Sequence, residues 1–208
     1  MKKRISFALI FFAAASLFAV DLDLTIGLRA GMDINFFDFD CGDWSGDSKI
    51  ASGFGGNAFV QISVPGVENL AIQPELGIRY HNIKIDRSYV DRDFNFTTLD
   101  IPVMVTYAFH LNELFFLQPE VGPRFSFVLG KISGDDDYTV KYPFNFGFEA
   151  GLTFGVKTGP GHILVNTRFV RDFTKITVDD TLKHTANGDT IGSVQSVNIS
   201  LGYQMQLF

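Results

Sequence analysis

The sequence predicts an all-β fold, an eight-stranded antiparallel up-and-down transmembrane β-barrel. Three observations carry the prediction. From residue 20 onward, apolar and polar positions alternate in long stretches, and a period of two marks a strand with two different faces. The tail Val197-Asn198-Ile199-Ser200-Leu201-Gly202-Tyr203-Gln204-Met205 is an unbroken example. Long polar connections alternate with short turns, as in barrels whose turns are short on the periplasmic side. The chain is rich in Phe and Gly, with 23 and 20 copies, which suits rings turned to lipid and small residues toward a crowded lumen.

The amino terminus reads as an export signal. Lys2-Lys3-Arg4 is a basic n-region, residues 5–20 are apolar, and Ala13, Ala14, Ala15, Ser16 and Ala19 are small. Cleavage is expected after Ala19, giving a signal peptide over 1–19 and a barrel domain over 20–208. The apolar stretch is short for a membrane helix. Loss of the three basic residues takes the formal charge from −6 to −9, which argues against a nucleic-acid partner. Cys41 is the only cysteine, so no intrachain disulfide is expected.

Strand one is expected over 24–36, with Leu24, Ile26, Leu28, Ala30, Met32, Ile34 and Phe36 on its apolar face. A polar loop, 38–52, leads to strand two over 53–64, whose apolar face carries Phe54, Ala58, Val60, Ile62 and Val64. Pro65-Gly66-Val67-Glu68-Asn69 is a tight turn. Strand three, 70–85, turns Ile72, Leu76, Ile78 and Tyr80 outward, and a charged loop over 86–95 follows. Strand four, 96–109, turns out Leu99, Ile101, Val103, Val105 and Tyr107. After the turn at 110–113 come strand five (114–130), the loop 131–143 and strand six (144–157). The turn 158–161, strand seven (162–176), the loop 177–192 and strand eight (193–208) complete the chain. Pro74, Pro102 and Pro119 fall inside strands, where each removes a ladder donor, so a β-bulge is expected at each.

In this register the lumen face carries Arg29, Asp33, Glu75, Arg79, Asp100, Glu120, Arg124, Glu149, Lys157 and Arg168. Eight strands enclose only enough room for side chains. Opposite charges in that space are expected to interlock as a hydrogen-bonded plug, with Arg pairing bidentately. The functional alternative for the same residues is a polar conduit or proton relay. Gln73-Pro74-Glu75-Leu76-Gly77-Ile78-Arg79-Tyr80 recurs as Gln118-Pro119-Glu120-Val121-Gly122-Pro123-Arg124-Phe125, so the same lumen pattern is used twice.

Leu99-Asp100-Ile101-Pro102-Val103 before Thr106-Tyr107 resembles the L-E-I-P-L…K-Y strand of small outer-membrane barrels related to PorT. Glu120-Val121-Gly122-Pro123 is similar to that family's E-x-G-P strand, and Arg168 to Ile176 is similar to its R-Y-x-x-G-L-T-N-I. The resemblance implies an eight-stranded barrel of the OmpA and OmpX type in the bacterial outer membrane, with no catalytic residues to carry over. Asp172 stands where that pattern has Gly. Phe208 ends the chain as in such barrels and is the expected signal to the barrel-assembly machinery, although the ladder Leu207, Met205, Tyr203, Leu201 is one position out of phase with it.

No other chemistry stands out. His81, His110, His162 and His184 are scattered without zinc-ligand spacing, so neither metal nor cofactor is expected. A rim hydrolase would draw on His81, Asp86 and Ser88 or on His184 and Asp180, but solvated loop residues are the simpler account. The acids of the long loops, such as Asp135-Asp136-Asp137, keep the rim solvated. Trp44, an aromatic among acids and glycines, is the candidate loop contact for an extracellular ligand, or an interface anchor. The sequence therefore predicts a non-enzymatic barrel with a filled lumen, structural or binding through its loops and surrounded by outer-membrane lipid. A narrow channel or small-solute transporter is the alternative, and a hydrolase the third.

Overall fold

The computed structural model describes residues 23–38, 51–87, 90–133, 139–140, 144–174, 176–179 and 190–207. Eleven strands follow in chain order. They are β1 (Leu24–Asp38), β2 (Ala51–Ser63), β3 (Leu70–Arg87), β4 (Val90–Tyr107) and β5 (Phe109–His110), then β6 (Phe115–Ser133) and β7 (Thr139–Val140). After these come β8 (Phe144–Thr158), β9 (Gly161–Asp172), β10 (Ile176–Asp179) and β11 (Thr190–Gln206). Eight are long, and they pair antiparallel in the order β1-β2-β3-β4-β6-β8-β9-β11. Pairing of β1 with β11, from Thr25↔Gln206 to Asp38↔Ser193, closes the barrel and leaves it no edge. The short strands are appendages: β5 pairs with β6, and β10 joins β7 to β11.

The alternation places the side chains as the sequence predicts. Leu28, Met32, Leu76, Ile78 and Leu201 point outward, and Leu28 is 67% exposed. Phe125, Phe146, Phe173, Phe148 and Phe169 meet ring to ring outside β6, β8 and β9. Period-two patterning sends their neighbours in sequence inward.

Two expectations are corrected. The charged stretch 86–95 is not a long loop. Pairing of β3 with β4 continues from Ile83↔Phe94 to Arg87↔Val90, so only Ser88 and Tyr89 separate the strands. Backbone pairing thus continues through the charged stretch.

The prolines do not form bulges either. On the β2 side of Pro74, the register runs from Phe59↔Glu75 to Ile62↔Ile72 without a shift. Pro74↔Val103 and Gly77↔Asp100 likewise bracket Pro102. Thr106↔Glu120 and Phe109↔Leu117 bracket Pro119. Pro123, a fourth strand proline, sits between Pro102↔Arg124 and Val105↔Val121. Each proline interrupts the ladder on the side its missing N–H would face, and pairing then resumes in register. The strand boundaries around them therefore stand. A register shift does occur where Asn95 pairs with Ser133 and Thr97 with Leu129. Gly130 lies inside that shift at φ 79°, the left-handed conformation of a glycine bulge.

The turns close with local chemistry. Asn112 Oδ1 accepts hydrogen bonds from the amides of Leu114 and Phe115 at 2.8 and 2.9 Å. Gly66 and Asn69 take positive φ in the turn after β2. Toward this short-turn end Phe59, Phe116 and Leu164 pack together, with Met104 and Ala71 also buried, beside the buried polar side chains of Thr106, Gln118 and Gln204.

Candidate functional site

Above that cluster the lumen is filled by ion pairs. Arg29, Arg79, Arg124 and Arg168 face Asp33, Glu75, Asp100, Glu120, Glu149 and Asp172, and none of the ten is more than 8% exposed. The eight sequence-predicted lumen residues Arg29, Glu75, Arg79, Asp100, Glu120, Arg124, Glu149 and Arg168 all meet in one network. Asp33 joins them. Lys157 does not: it has lumen parity but is exposed at the short-turn mouth.

The lower layer is built on Arg168. Its Nη2 donates to Glu75 Oε1 at 2.6 Å, its Nη1 donates to Glu149 Oε2 at 2.9 Å, and its Nε pairs with Glu120. Arg29 pairs with Glu75 and reaches Glu120 Oε1 at 3.3 Å. Gln73 Nε2 donates to Glu75 at 2.7 Å, and the Asn57 amide also donates to it. Asn166 Nδ2 donates to Glu120 and to Thr153 Oγ1. The Arg29 guanidinium lies 4.7 Å over the Phe59 ring, which ties this layer to the apolar cluster.

The upper layer is built on Arg124. Nη1 donates to Asp172 Oδ1 at 2.6 Å and Nη2 donates to Asp100 Oδ1 at 2.8 Å. Ser126 Oγ also donates to Asp100 Oδ1, at 2.6 Å. Arg79 Nε lies 3.3 Å from Asp100 and its Nη1 3.8 Å from Asp33. Glu149 joins the layers, within 3.4 Å of Arg124 Nε and 3.5 Å of Arg79 Nη2 while it accepts from Arg168.

The wall is cut to fit these long side chains. Each plug arginine has a glycine as a direct cross-strand partner: Arg29↔Gly202, Arg79↔Gly55, Arg124↔Gly147 and Arg168↔Gly151. A Cβ on Gly202 would sit 2.5 Å from Arg29 Cγ, one on Gly55 2.8 Å from Arg79 Cγ, and one on Gly151 2.6 Å from Arg168 Cγ. Between the layers remains a cavity of about 10 Å³, lined by Arg29, Arg79, Arg168, Asn198 and Ser200, which is room for one water.

Two features were not visible in the sequence. Asp172 stood out only as a departure from a family pattern, yet it is the closest partner of Arg124. His81, read as a residue of the loop side, is 1% exposed inside the barrel; it stacks on Phe96 at 4.8 Å and its Nε2 lies 3.1 Å from Thr98 Oγ1. Lumen parity for His81 followed from the strand register, and only the length of β3 hid its burial. Trp44, Ser88, Asp180, His184 and Phe208, the signal peptide and Asp135 to Asp137 lie outside the described residues.

The fold and this lumen define a class, the small outer-membrane barrels. Residues 14–178 match the family model of the outer membrane protein beta-barrel domain, and the chain belongs to that family. It resides in the bacterial outer membrane, with lipid around its apolar face. No curated protein matches its sequence. Among solved structures it resembles a major outer membrane protein from Thermus thermophilus, at 13% identity and a TM-score of 0.58, with 90% of this chain and 100% of that one covered. Neisserial surface protein A matches at 14% identity and a TM-score of 0.51, over 88% and 97% of the two chains. The outer membrane protein AlkL, determined in lipid bilayers, matches at 15% and 0.52, over 89% and 90%. At these identities the likeness is one of fold.

Proposed function

We propose that the protein is a closed, non-conducting outer-membrane barrel whose lumen is a structural plug and whose long-loop end carries its binding role. The observation that supports this reading most is the continuity of the ion-pair network across the lumen. Arg168, Glu149 and Arg124 connect both layers, and the cavity between the layers has room for one water. A conduit needs a continuous file of water, and an eight-stranded wall cannot widen to provide one while its side chains stay paired. The apolar cluster of Phe59, Phe116 and Leu164 adds a second seal at the short-turn end. The loops carry Trp44 and the acid clusters, so partner contact is assigned to them, and Phe208 is the signal for the assembly machinery. No catalytic role is assigned.

Reconstituted vesicles loaded with a small sugar test the reading. Vesicles carrying the folded barrel are expected to release sugar no faster than protein-free vesicles. Release that rises with protein content and changes on Glu75→Gln replacement would make the lumen a passage instead.

A further inference from the structure

One charge interrupts the outward face of the barrel. On the eight long strands the outward positions whose side chains are described are apolar or uncharged, except at Arg171 on β9, which is exposed. Period-two patterning sends its neighbour Asp172 inward to Arg124 and turns Arg171 to the lipid side. The four plug arginines are surrounded by carboxylates. Arg171 has no carboxylate partner among the described residues.

The register gives this guanidinium a defined setting. Across the ladders Arg171 pairs with Phe148 on β8 and with Gln195 on β11. Phe169 and Phe173 stand two positions to either side of it on the same outward face. The Phe148 ring meets both, with centroids 6.1 Å from Phe169 and 5.7 Å from Phe173. Arg171 is therefore set in a strip of packed rings, with one amide side chain beside it.

Its height on the wall bears on the partner. Arg171 is the last residue but one of β9, at the long-loop end of the strand. In barrels with short periplasmic turns that end lies in the outer leaflet. A charge on the lipid face is costly at the midplane and tolerated near the interface. A long arginine stem lies along apolar surface and carries its head toward the interface. The rings beside Arg171 supply such a surface.

Charge complementarity selects the occupant. The chain's described residues offer this cation no anion, and the medium against the face is lipid. The anions of the interfacial zone are headgroup phosphates. A guanidinium is a planar fork of donors that matches a phosphate bidentately. The Gln195 amide adds a neutral donor next to it. The acyl chains below such a headgroup would lie on the rings.

We propose that Arg171, with Gln195 beside it, binds the phosphate headgroup of an outer-leaflet lipid whose acyl chains pack against Phe148 and Phe169. The site is on the outer wall, so it does not depend on whether the lumen conducts.

The test uses the folded barrel in uncharged detergent, with dioleoyl phosphatidic acid as the probe and native mass spectrometry as the readout. One lipid is expected to stay on each barrel. Arg171→Gln should weaken retention at least tenfold, and Arg171→Lys, which keeps the charge without the fork, by less. Dioleoylglycerol, the same lipid without its phosphate, should bind the wild type no better than phosphatidic acid binds Arg171→Gln. Arg171→Leu makes the face uniformly apolar and should fold and lose the lipid in the same way, so either variant decides the matter. Equal retention by these variants overturns the proposal and assigns the lipid to the rings alone. Equal retention of dioleoylglycerol overturns it as well. Displacement of the lipid by inorganic phosphate overturns it by making the site one for the free anion.

Discussion

Phe116 and Gly155 face each other across the β6–β8 ladder, and the ring of Phe116 fills the space that a Cβ on Gly155 would need. Gly27 and Phe59 repeat the arrangement across β1 and β2. The apolar cluster at the base of the lumen is thus made of rings lying over glycines. Gly155→Ala is expected to destabilise the barrel by about 1–3 kcal/mol through overpacking. In a Phe116→Ala background the same change should cost much less, a coupling of about 1 kcal/mol or more. Urea unfolding of the four proteins in lipid vesicles measures it; additive losses would mean that the ring and the glycine do not share that space.

The two layers of the plug should respond unequally to charge removal. Arg168 serves Glu75, Glu120 and Glu149, so Arg168→Met leaves three buried carboxylates short of a partner. Its expected cost is about 3–5 kcal/mol. Asp172→Gly leaves Arg124 paired with Asp100 and near Glu149, and the expected cost is about 1.5–3 kcal/mol, that of one charged hydrogen bond. Unfolding midpoints that rank the two variants the other way would put the weight of the plug in its upper layer.

The outward face is tested by Leu28→Arg. Leu28, the fifth residue of β1, is 67% exposed on the face turned to lipid. A charge there is expected to cost about 2–4 kcal/mol in a bilayer if it lies at midplane. A neutral effect in vesicles would mean that this face is not in the hydrocarbon.

The proline interruptions predict a local pattern of hydrogen exchange. Amides that face the breaks, at Val60, Glu75 and Val103, should exchange faster by about tenfold or more than those of the unbroken β1–β11 pairing. Amide exchange followed by NMR in lipid nanodiscs reads this directly. Equal protection would show that the gaps are bridged.

Strand faces were legible in the sequence because a two-residue period leaves little freedom once one side is apolar, and so the lumen charges could be named. Several things were not legible. Charges at 86–95 read as loop because ionic residues mask a strand pairing that continues through them. The prolines read as bulges because sequence cannot distinguish a ladder that shifts from one that skips. Lumen-facing Phe59, Phe116, Met104 and Leu164 were hidden among outward apolar residues, since an apolar side chain gives no sign of which face it occupies when its neighbours are also apolar. The glycines opposite the four arginines become meaningful only when the register pairs them. Arg171 and Gln195 become neighbours only through the β9–β11 pairing.

Single-channel recording in a planar bilayer tests the sealed lumen most directly. With the barrel shown to be folded and inserted, the account predicts a silent membrane across the usual range of voltage. Steady discrete openings, with a conductance that changes on replacement of Glu75 or Arg168, would contradict it.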